Sequence, residues 1–421
     1  VFDVIVIGAG MAGLSAARTL AESGKRVMVV EARDRVGGRI LTVPSAGSGL
    51  PVELGAEFIH GLPPQLLALV EEAGLRQFEL EGDSRCFESG RGIGDCPDHR
   101  EVDQLFDELV HNVSPDSPDI SFREFLVQHN VSAQTAAWGT NYVEGFNAAD
   151  ADHISIQSLA KQQAAEDAIS GDRLFRVVEG YARVPEFLAR KLREAGGELL
   201  LSTPVRSVAW RAGQVKVETA DRVLRAQSVV VTVPLGVLQA RSITFSPQPS
   251  AILAAADRLA MGVAARVVYE FEDKALPTLD GLSFLFAPDR MPPTWWTTRP
   301  DPSQMLTGWV AGRKAATLDQ GTLPETGLAT LAAMLYRSPQ DLRSKLLRWH
   351  HHDWKTDPYS LGSYTYVPRG AVHASDALSE PVEGTLFFAG EHTDTSGHWG
   401  TVHGALRSGY RAAAQVLTAG K

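Results

Sequence analysis

Val4-Ile5-Val6-Ile7-Gly8-Ala9-Gly10-Met11-Ala12-Gly13 is the stretch on which the fold of this chain turns. The β-branched run 4–7 predicts a parallel strand buried on both faces. Residues 14–22, rich in Ala, Leu and Arg, follow with a helical pattern, and Gly24 stands where a C-cap belongs. A second β-branched strand, Val27-Met28-Val29-Val30, ends on Glu31. Each glycine has a physical role. Gly8 permits the tight turn, Gly10 lets backbone approach a pyrophosphate, and Gly13 lets helix and strand pack closely. Ala12 belongs to the same turn, and the N-terminus of the helix that follows faces the phosphate charge. Glu31 lies 18 positions after Gly13, suitable for a carboxylate that grips ribose hydroxyls. The alternative for Glu31 is an ordinary surface carboxylate. Strand, glycine turn, helix, strand and acid in this order predict a Rossmann-type dinucleotide site, and NAD and FAD share it. The fold class is α/β (α+β overall).

Working outward, 421 residues suggest two or three domains. A formal charge of −10 argues against nucleic acid, whose phosphates demand a basic face, so it is not an expected partner; the charge is compatible with a cationic substrate. The only two cysteines, Cys86 and Cys96, cannot build a disulfide framework or a zinc site by themselves. Two unpaired thiols in a reducing cytoplasm are expected, local pairing being the alternative. No apolar run is long enough to span a membrane, so no membrane partner is expected. A cytoplasmic location is the expectation; the chain starts without Met, which leaves a removed leader open, and ends at Gly420-Lys421 without a hydrophobic tail.

The run that follows Glu31, Ala32-Arg33-Asp34-Arg35-Val36-Gly37-Gly38-Arg39, resembles the second signature of the FAD-dependent amine oxidase superfamily, which chooses FAD over NAD. That superfamily includes monoamine oxidases, polyamine and spermine oxidases, L-amino-acid oxidases and lysine-specific histone demethylases. Gly38 permits close backbone approach, and Arg39 neutralises a phosphate or contacts the flavin. Further blocks carry the resemblance along the chain. Gly55-Ala56-Glu57-Phe58-Ile59-His60-Gly61 is similar to the loop that passes the flavin in polyamine oxidases, where His60 takes the position of a polar residue near the substrate amine. An isolated loop His is otherwise a surface residue. Thr203-Pro204-Val205 precedes a predicted hairpin with its turn at 211–213, and the family uses the Val205 position to contact the adenine side. Ser228-Val229-Val230-Val231-Thr232-Val233 reads as a core strand, and the following Pro234-Leu235-Gly236-Val237-Leu238 is very like the polyamine oxidase and histone demethylase branch. Near the end, Gly390-Glu391 and Gly400-Thr401-Val402 occupy the positions that hold the ribityl or phosphate region and face the flavin pyrimidine. A helix N-terminus there stabilises negative charge on a reduced flavin.

Three departures from the family pattern shape the functional expectation. Ser363 stands where monoamine oxidases carry the cysteine joined to flavin, so the FAD is expected to be non-covalent. Tyr364 matches one wall of an aromatic cage, its alternative being a core tyrosine; Thr401 replaces the facing tyrosine, and Trp399 is a candidate to supply the missing aromatic surface. Arg266 replaces a lysine beside flavin N5 that is thought to assist reaction with oxygen, and the two are not equivalent. A register error of one residue, or an outward-facing arginine, is the alternative.

The resemblance implies a discontinuous FAD-binding domain (1–61, 181–245, 371–421) and a mixed sheet-and-helix substrate domain (62–180, 246–370). Helices are expected at 64–73, 100–111 and 322–336, and Pro-rich loops at 246–250 and 291–302. The implied activity is hydride transfer from a polyamine-like or secondary amine to flavin N5, imine hydrolysis and peroxide formation with molecular oxygen. Oligomeric state stays open between monomer and homodimer. An L-amino-acid or specialised amine oxidase using Arg266 on a carboxylate, and a flavin-binding interaction protein that has lost oxidase activity, are the competing expectations.

Overall fold

A computed structural model describes residues 1–98, 100–114, 116–301 and 303–419; the expectations that touch Pro302 and Gly420-Lys421 lie outside the described residues. The opening stretch folds as its composition dictates. Strand β1 (Phe2–Ile7) has its last four residues buried, and helix α1 (Met11–Glu22) begins three residues earlier than the sequence pattern predicts. Strand β2 (Val27–Val30) is buried throughout and pairs in parallel with β1. The long strand β3 (Val223–Val231) pairs in parallel with β1 on its other side, from Phe2↔Ala226 to Ile7↔Val231.

These strands sit in an eight-stranded sheet of order 198–200, β2, β1, β3, 214–218, 207–211, 244–246, with Leu386–Phe388 also pairing β3. The N-terminal part of β3 pairs antiparallel with Gln214–Glu218, and residues 229–231 pair in parallel with Leu386–Phe388. One sheet is thus assembled from segments distant in sequence. The predicted hairpin is present, Ser207–Arg211 turning through Ala212-Gly213 into Gln214–Glu218, with Gly213 at φ +70°. Apolar residues of β1, β2 and β3 alternate between the core clusters on either side of the sheet, as expected of strands covered on both faces.

A second, seven-stranded sheet has the order 346–351, β4 (Ala264–Phe271), 305–311, 294–297, 282–286, 83–88, 92–94. All eight residues of β4 are buried. Its register with Met305–Ala311 places Arg266 opposite Trp309. A helical segment that includes Ala133–Asn147 and α2 (Ile156–Asp167) lies in sequence between strand 92–94 of this sheet and its remaining strands. The final helix α3 (Val402–Ala419) packs on α1 so closely that a Cβ on Gly409 would lie 2.2 Å from the Ala12 carbonyl oxygen. No helix among the described residues is long and apolar enough to cross a membrane.

Two expectations are corrected. Thr294–Thr297 is a strand within the region expected to be loop, because the prolines flank the Trp295-Trp296 pair and leave its ladder intact. Cys86 and Cys96 are not free thiols but a disulfide, their Cα atoms 4.7 Å apart. The hairpin of Asp83–Glu88 with Gly92–Gly94 sets Cys86 opposite Gly94 and so delivers Cys96 to its partner. The pair removes the support that free thiols lent to a reducing compartment.

Candidate active site

A single cavity of about 1120 Å³ runs from the glycine turn to the second sheet. It is larger than the roughly 300–1,000 Å³ usual for one drug-sized ligand, as a dinucleotide plus a substrate requires. At the first end, Gly8 has φ +106°, and a Cβ there would lie 2.6 Å from Thr232 Oγ1. A Cβ on Gly13 would stand 1.9 Å from the Gly8 carbonyl oxygen, whereas one on Gly10 would meet nothing within 4 Å. Gly10 therefore borders open space that a phosphate can enter. It is also the N-cap of α1, with no capping side chain and no acid in the first turn, so the helix N–H groups, that of Ala12 included, remain available to an anion. These are the properties a pyrophosphate needs, and the site fits one.

Around that turn the charged groups are already paired. Glu31 is buried, accepting hydrogen bonds from Ala9 N (2.7 Å) and Arg33 N (2.8 Å). Beside it, Ala32 lines the cavity. The Arg33 guanidinium is bidentate on Asp357 (3.0 and 2.9 Å) and donates to Ser360 Oγ, so it shapes the wall rather than standing free for a phosphate. Gly38 (φ +59°) packs against Gly10 Cα, and a Cβ on Gly55 would lie 1.9 Å from the Arg39 carbonyl oxygen, bringing Gly55 and Ala56 against Arg39. Arg39 donates to Ser363 O and Glu391 Oε1, each at 2.8 Å. Glu391 also accepts from Gly400 N (3.0 Å), Thr365 N (3.3 Å) and Thr365 Oγ1 (3.1 Å). Burial opposes ionisation of Glu391, but Arg39 and these donors outweigh it and hold the carboxyl below its ordinary range. Glu391 thus fixes the wall from within. Val205 lines the same end, Gly390 N donates to Ser408 Oγ, and Thr401 Oγ1 accepts from Gly404 N (3.0 Å), capping α3 at Val402.

The second end is aromatic. Tyr364 packs beside Trp309 and donates its hydroxyl to Phe146 O (2.7 Å). His60 meets Phe146 edge-on, with ring centroids 5.3 Å apart, and desolvation pushes its imidazole down to about 4, so it is neutral near pH 7. Ser363 Oγ is held by the backbone of Ala264 on β4. Trp399 is buried in the core cluster of the first sheet with its Nε1 donating to Ser375 Oγ. Trp399 also lines the cavity, and aromatic surface beside Arg266 comes from Trp296 and Trp309.

Arg266 points inward. It is 5 % exposed, its guanidinium lies 5.3 and 5.4 Å from the Trp296 and Trp309 ring centroids, and Nη1 donates to Glu53 O (2.7 Å) and Glu57 Oε2 (3.0 Å). Glu57, expected among the cofactor contacts, lines the cavity but commits its carboxylate to Arg266, to Arg176 (2.7 Å) and to Trp296 Nε1 (3.1 Å). Burial lifts Glu53 to about 7, against the hydrogen bonds it accepts from Thr42 and Tyr181 N. Sequence reasoning missed Arg176, Glu53, Trp296, Trp309 and Phe146. The β-favouring run Thr294-Trp295-Trp296-Thr297 was the one signal that could have placed Trp296; Arg176 has none, since only the pairing of Leu174–Val177 with Ile59–His60 brings it there.

Residues 11–417 match the sequence family described as flavin containing amine oxidoreductase. The chain is similar to polyamine oxidase 4 of Oryza sativa subsp. japonica, 28 % identical over 98 % of this chain and 88 % of that protein. It is also similar to lysine-specific histone demethylase 1 homolog 2 of Arabidopsis thaliana, 30 % identical over 99 % of this chain and 58 % of that longer protein. Among solved structures, a putrescine oxidase triple mutant from a redesign of cofactor binding superposes with a TM-score of 0.84 at 25 % identity, covering 99 % of both chains. Cyclohexylamine oxidase from Brevibacterium oxydans IH-35A shares the fold, with a TM-score of 0.84 at 24 % identity over 99 % of both chains.

Proposed function

The chain belongs to the flavin-containing amine oxidoreductases, and from that premise we propose that it binds FAD non-covalently and oxidises a polyamine-like or secondary amine at the carbon beside nitrogen. The observation that carries this reading is the continuity of one cavity from the Gly8–Gly13 turn to the Tyr364, Trp309 and His60 surface. The helix N-terminus at Gly10 would hold the pyrophosphate and Glu31 the ribose. Arg39, Glu391 and the α3 N-terminus at Thr401 and Val402 would border the flavin. Bound there, FAD would supply a two-electron acceptor: the carbon beside nitrogen would give up a hydride, the imine would take up water to give a carbonyl compound and an amine, and molecular oxygen would take the electron pair with two protons to give hydrogen peroxide. With both cysteines joined to each other, the chain has no free thiol for a thioether link to the ring. The proposed division into an FAD-binding unit (1–61, 181–245, 371–421) and a substrate unit (62–180, 246–370) places the reacting carbon between the two sheets.

The chain's own residues prepare the amine. An ammonium ion has no lone pair to release the hydride, so the neutral form must react, and apolar aromatic walls favour it. The fixed cations Arg266 and Arg176 outnumber the Glu57 carboxylate between them and further disfavour a second positive charge. His60, kept neutral, offers a ring nitrogen to the substrate without competing for its proton. Tyr364 spends its hydroxyl proton on Phe146 O and serves as a wall, not an acid. Arg266 commits Nη1 to Glu57 and the Glu53 carbonyl while its Nε has no partner, so the competing amino-acid oxidase reading is left to the substrate test. The test is to load the protein with FAD and divide it: one portion is precipitated, with free FAD expected in the supernatant, and the intact portion is assayed, with amine-dependent peroxide formation expected. Flavin retained on the precipitated chain, or peroxide formation driven by amino acids and not by amines, would overturn the proposal.

A further inference from the structure

At the α3 N-terminus, where His403 also lines the large cavity, three buried side chains given no role above converge: Glu166 in the last turn of α2, His398 in the loop before α3, and His403 in its first turn. One ligand atom from each lies within 4.8 Å of the others, and the residues are 8 %, 4 % and 3 % exposed. Both Glu166 carboxylate oxygens and the Nε2 atoms of both histidines lack any hydrogen-bond partner. A buried carboxylate with neither oxygen satisfied is costly, and three such groups facing one point call for an occupant that all three can share. From this geometry we propose that Glu166, His398 and His403 bind a first-row transition dication, zinc by the chemistry of the donor set, as a clamp between α2 and the lead into α3.

The ligand set is two imidazoles and one carboxylate, a combination that takes zinc with the remaining position open. With bonds of about 2.1 Å, tetrahedral donors stand about 3.4 Å apart, so small side-chain rotations close the present spacing. The surroundings supply the outer support such histidines need. Ser396 Oγ lies 3.2 Å from His398 Nδ1, and Ser396 donates its own proton to Asp394 Oδ1 (2.7 Å). Arg407 Nη2 has two hydrogens but three neighbours, Asp394, Ser396 Oγ and His398 Nδ1. When it donates to the first two, Nδ1–H of His398 donates to Ser396, and the unpartnered Nε2 is left with its lone pair for a metal. A cavity of about 180 Å³ beside Glu166 gives an ion or a water a place to enter. Metal binding here does not depend on the identity of the amine substrate, so the two readings stand or fall separately.

The flavin-loaded full chain, stripped with a chelator and dialysed, is titrated with cobalt(II) and then zinc(II). We expect uptake of about one cobalt per chain with d–d absorption of a low-coordinate nitrogen–oxygen site, displacement by zinc, and a rise of several degrees in Tm on metal addition. Glu166→Gln should weaken cobalt affinity at least about 100-fold, and Ser396→Ala, which keeps all three ligands, about 10-fold. An unchanged flavin spectrum certifies that each variant is folded. Absence of stoichiometric uptake by the parent chain would mean that water alone fills the site and would overturn the proposal, as would equal cobalt affinity in the parent and both variants.

Discussion

At the nucleotide end of the cavity the chain presents backbone; at the amine end it presents side chains held by distant partners. Gly8, Gly10 and Gly13 act through what they lack, and their neighbours Glu31, Arg33, Arg39 and Glu391 are paired within the protein before any ligand arrives. At the other end, Tyr364, His60, Trp296 and Trp309 come from four chain regions, and the charged group among them is an Arg266–Glu57–Arg176 cluster whose net charge is positive. The first end is specified by local steric rules, the second by desolvation. That difference says how each should fail.

The largest effect is expected from Gly13→Ala, because its Cβ meets the Gly8 carbonyl at 1.9 Å and the strand–helix turn must move. It should lose bound flavin and lower the Tm of the apoprotein. Gly10→Ala, whose Cβ enters open space, should weaken flavin retention while leaving the apoprotein's Tm unchanged. Equal Tm losses in both variants, by calorimetry, would break the distinction between a packing glycine and a ligand-facing one.

Next comes Glu57→Gln, which leaves two buried guanidinium groups with a neutral partner. Removing one member of a buried ion pair costs about 3–5 kcal/mol, and we expect a loss in that range by denaturant titration, with flavin affinity little changed. A loss of flavin without a loss of stability would move Glu57 into the nucleotide end.

A pH effect of comparable kind sharpens the desolvation argument. His60 is lowered from 6.5 to about 4, so the unfolded chain binds its proton first as pH falls. Its contribution to stability is complete above pH 6.5 and is lost as pH falls toward about 4, amounting to roughly 3 kcal/mol across that window. His60→Phe should flatten this part of the stability profile; an unaltered acid limb would show that the imidazole is solvated. The smallest change is expected from Tyr364→Phe. It leaves the Phe146 carbonyl unpaired at a cost of about 1 kcal/mol and keeps the aromatic wall, so kcat/KM for an amine should stay within about 3-fold of the parent. A 100-fold loss would make the hydroxyl a participant.

Legibility in the sequence follows the same division. The strand 4–7, the glycine turn and the hairpin at 211–213 obey periodicity and turn chemistry that act within a dozen residues, whereas the final helix was placed by resemblance. Arg39, Glu391 and Gly400 were placed by resemblance, and the hydrogen bonds that Glu391 accepts from the other two appear only once the first and last segments share a sheet. Arg176 and Trp309 carried no local signal. Trp296 was hidden by prolines that flank a strand without entering it, and the Cys86–Cys96 bridge by a hairpin whose register the residue pattern does not set.

The most direct test of the joined cavity is anaerobic titration of the FAD-loaded protein with a panel of polyamines, secondary and aryl amines and amino acids, followed by air. We expect an amine to bleach the oxidised flavin, faster as rising pH increases the neutral amine, and air to restore the colour with hydrogen peroxide. Full bleaching by dithionite but none by any amine would contradict the account, because the flavin would then be bound without an amine site beside it.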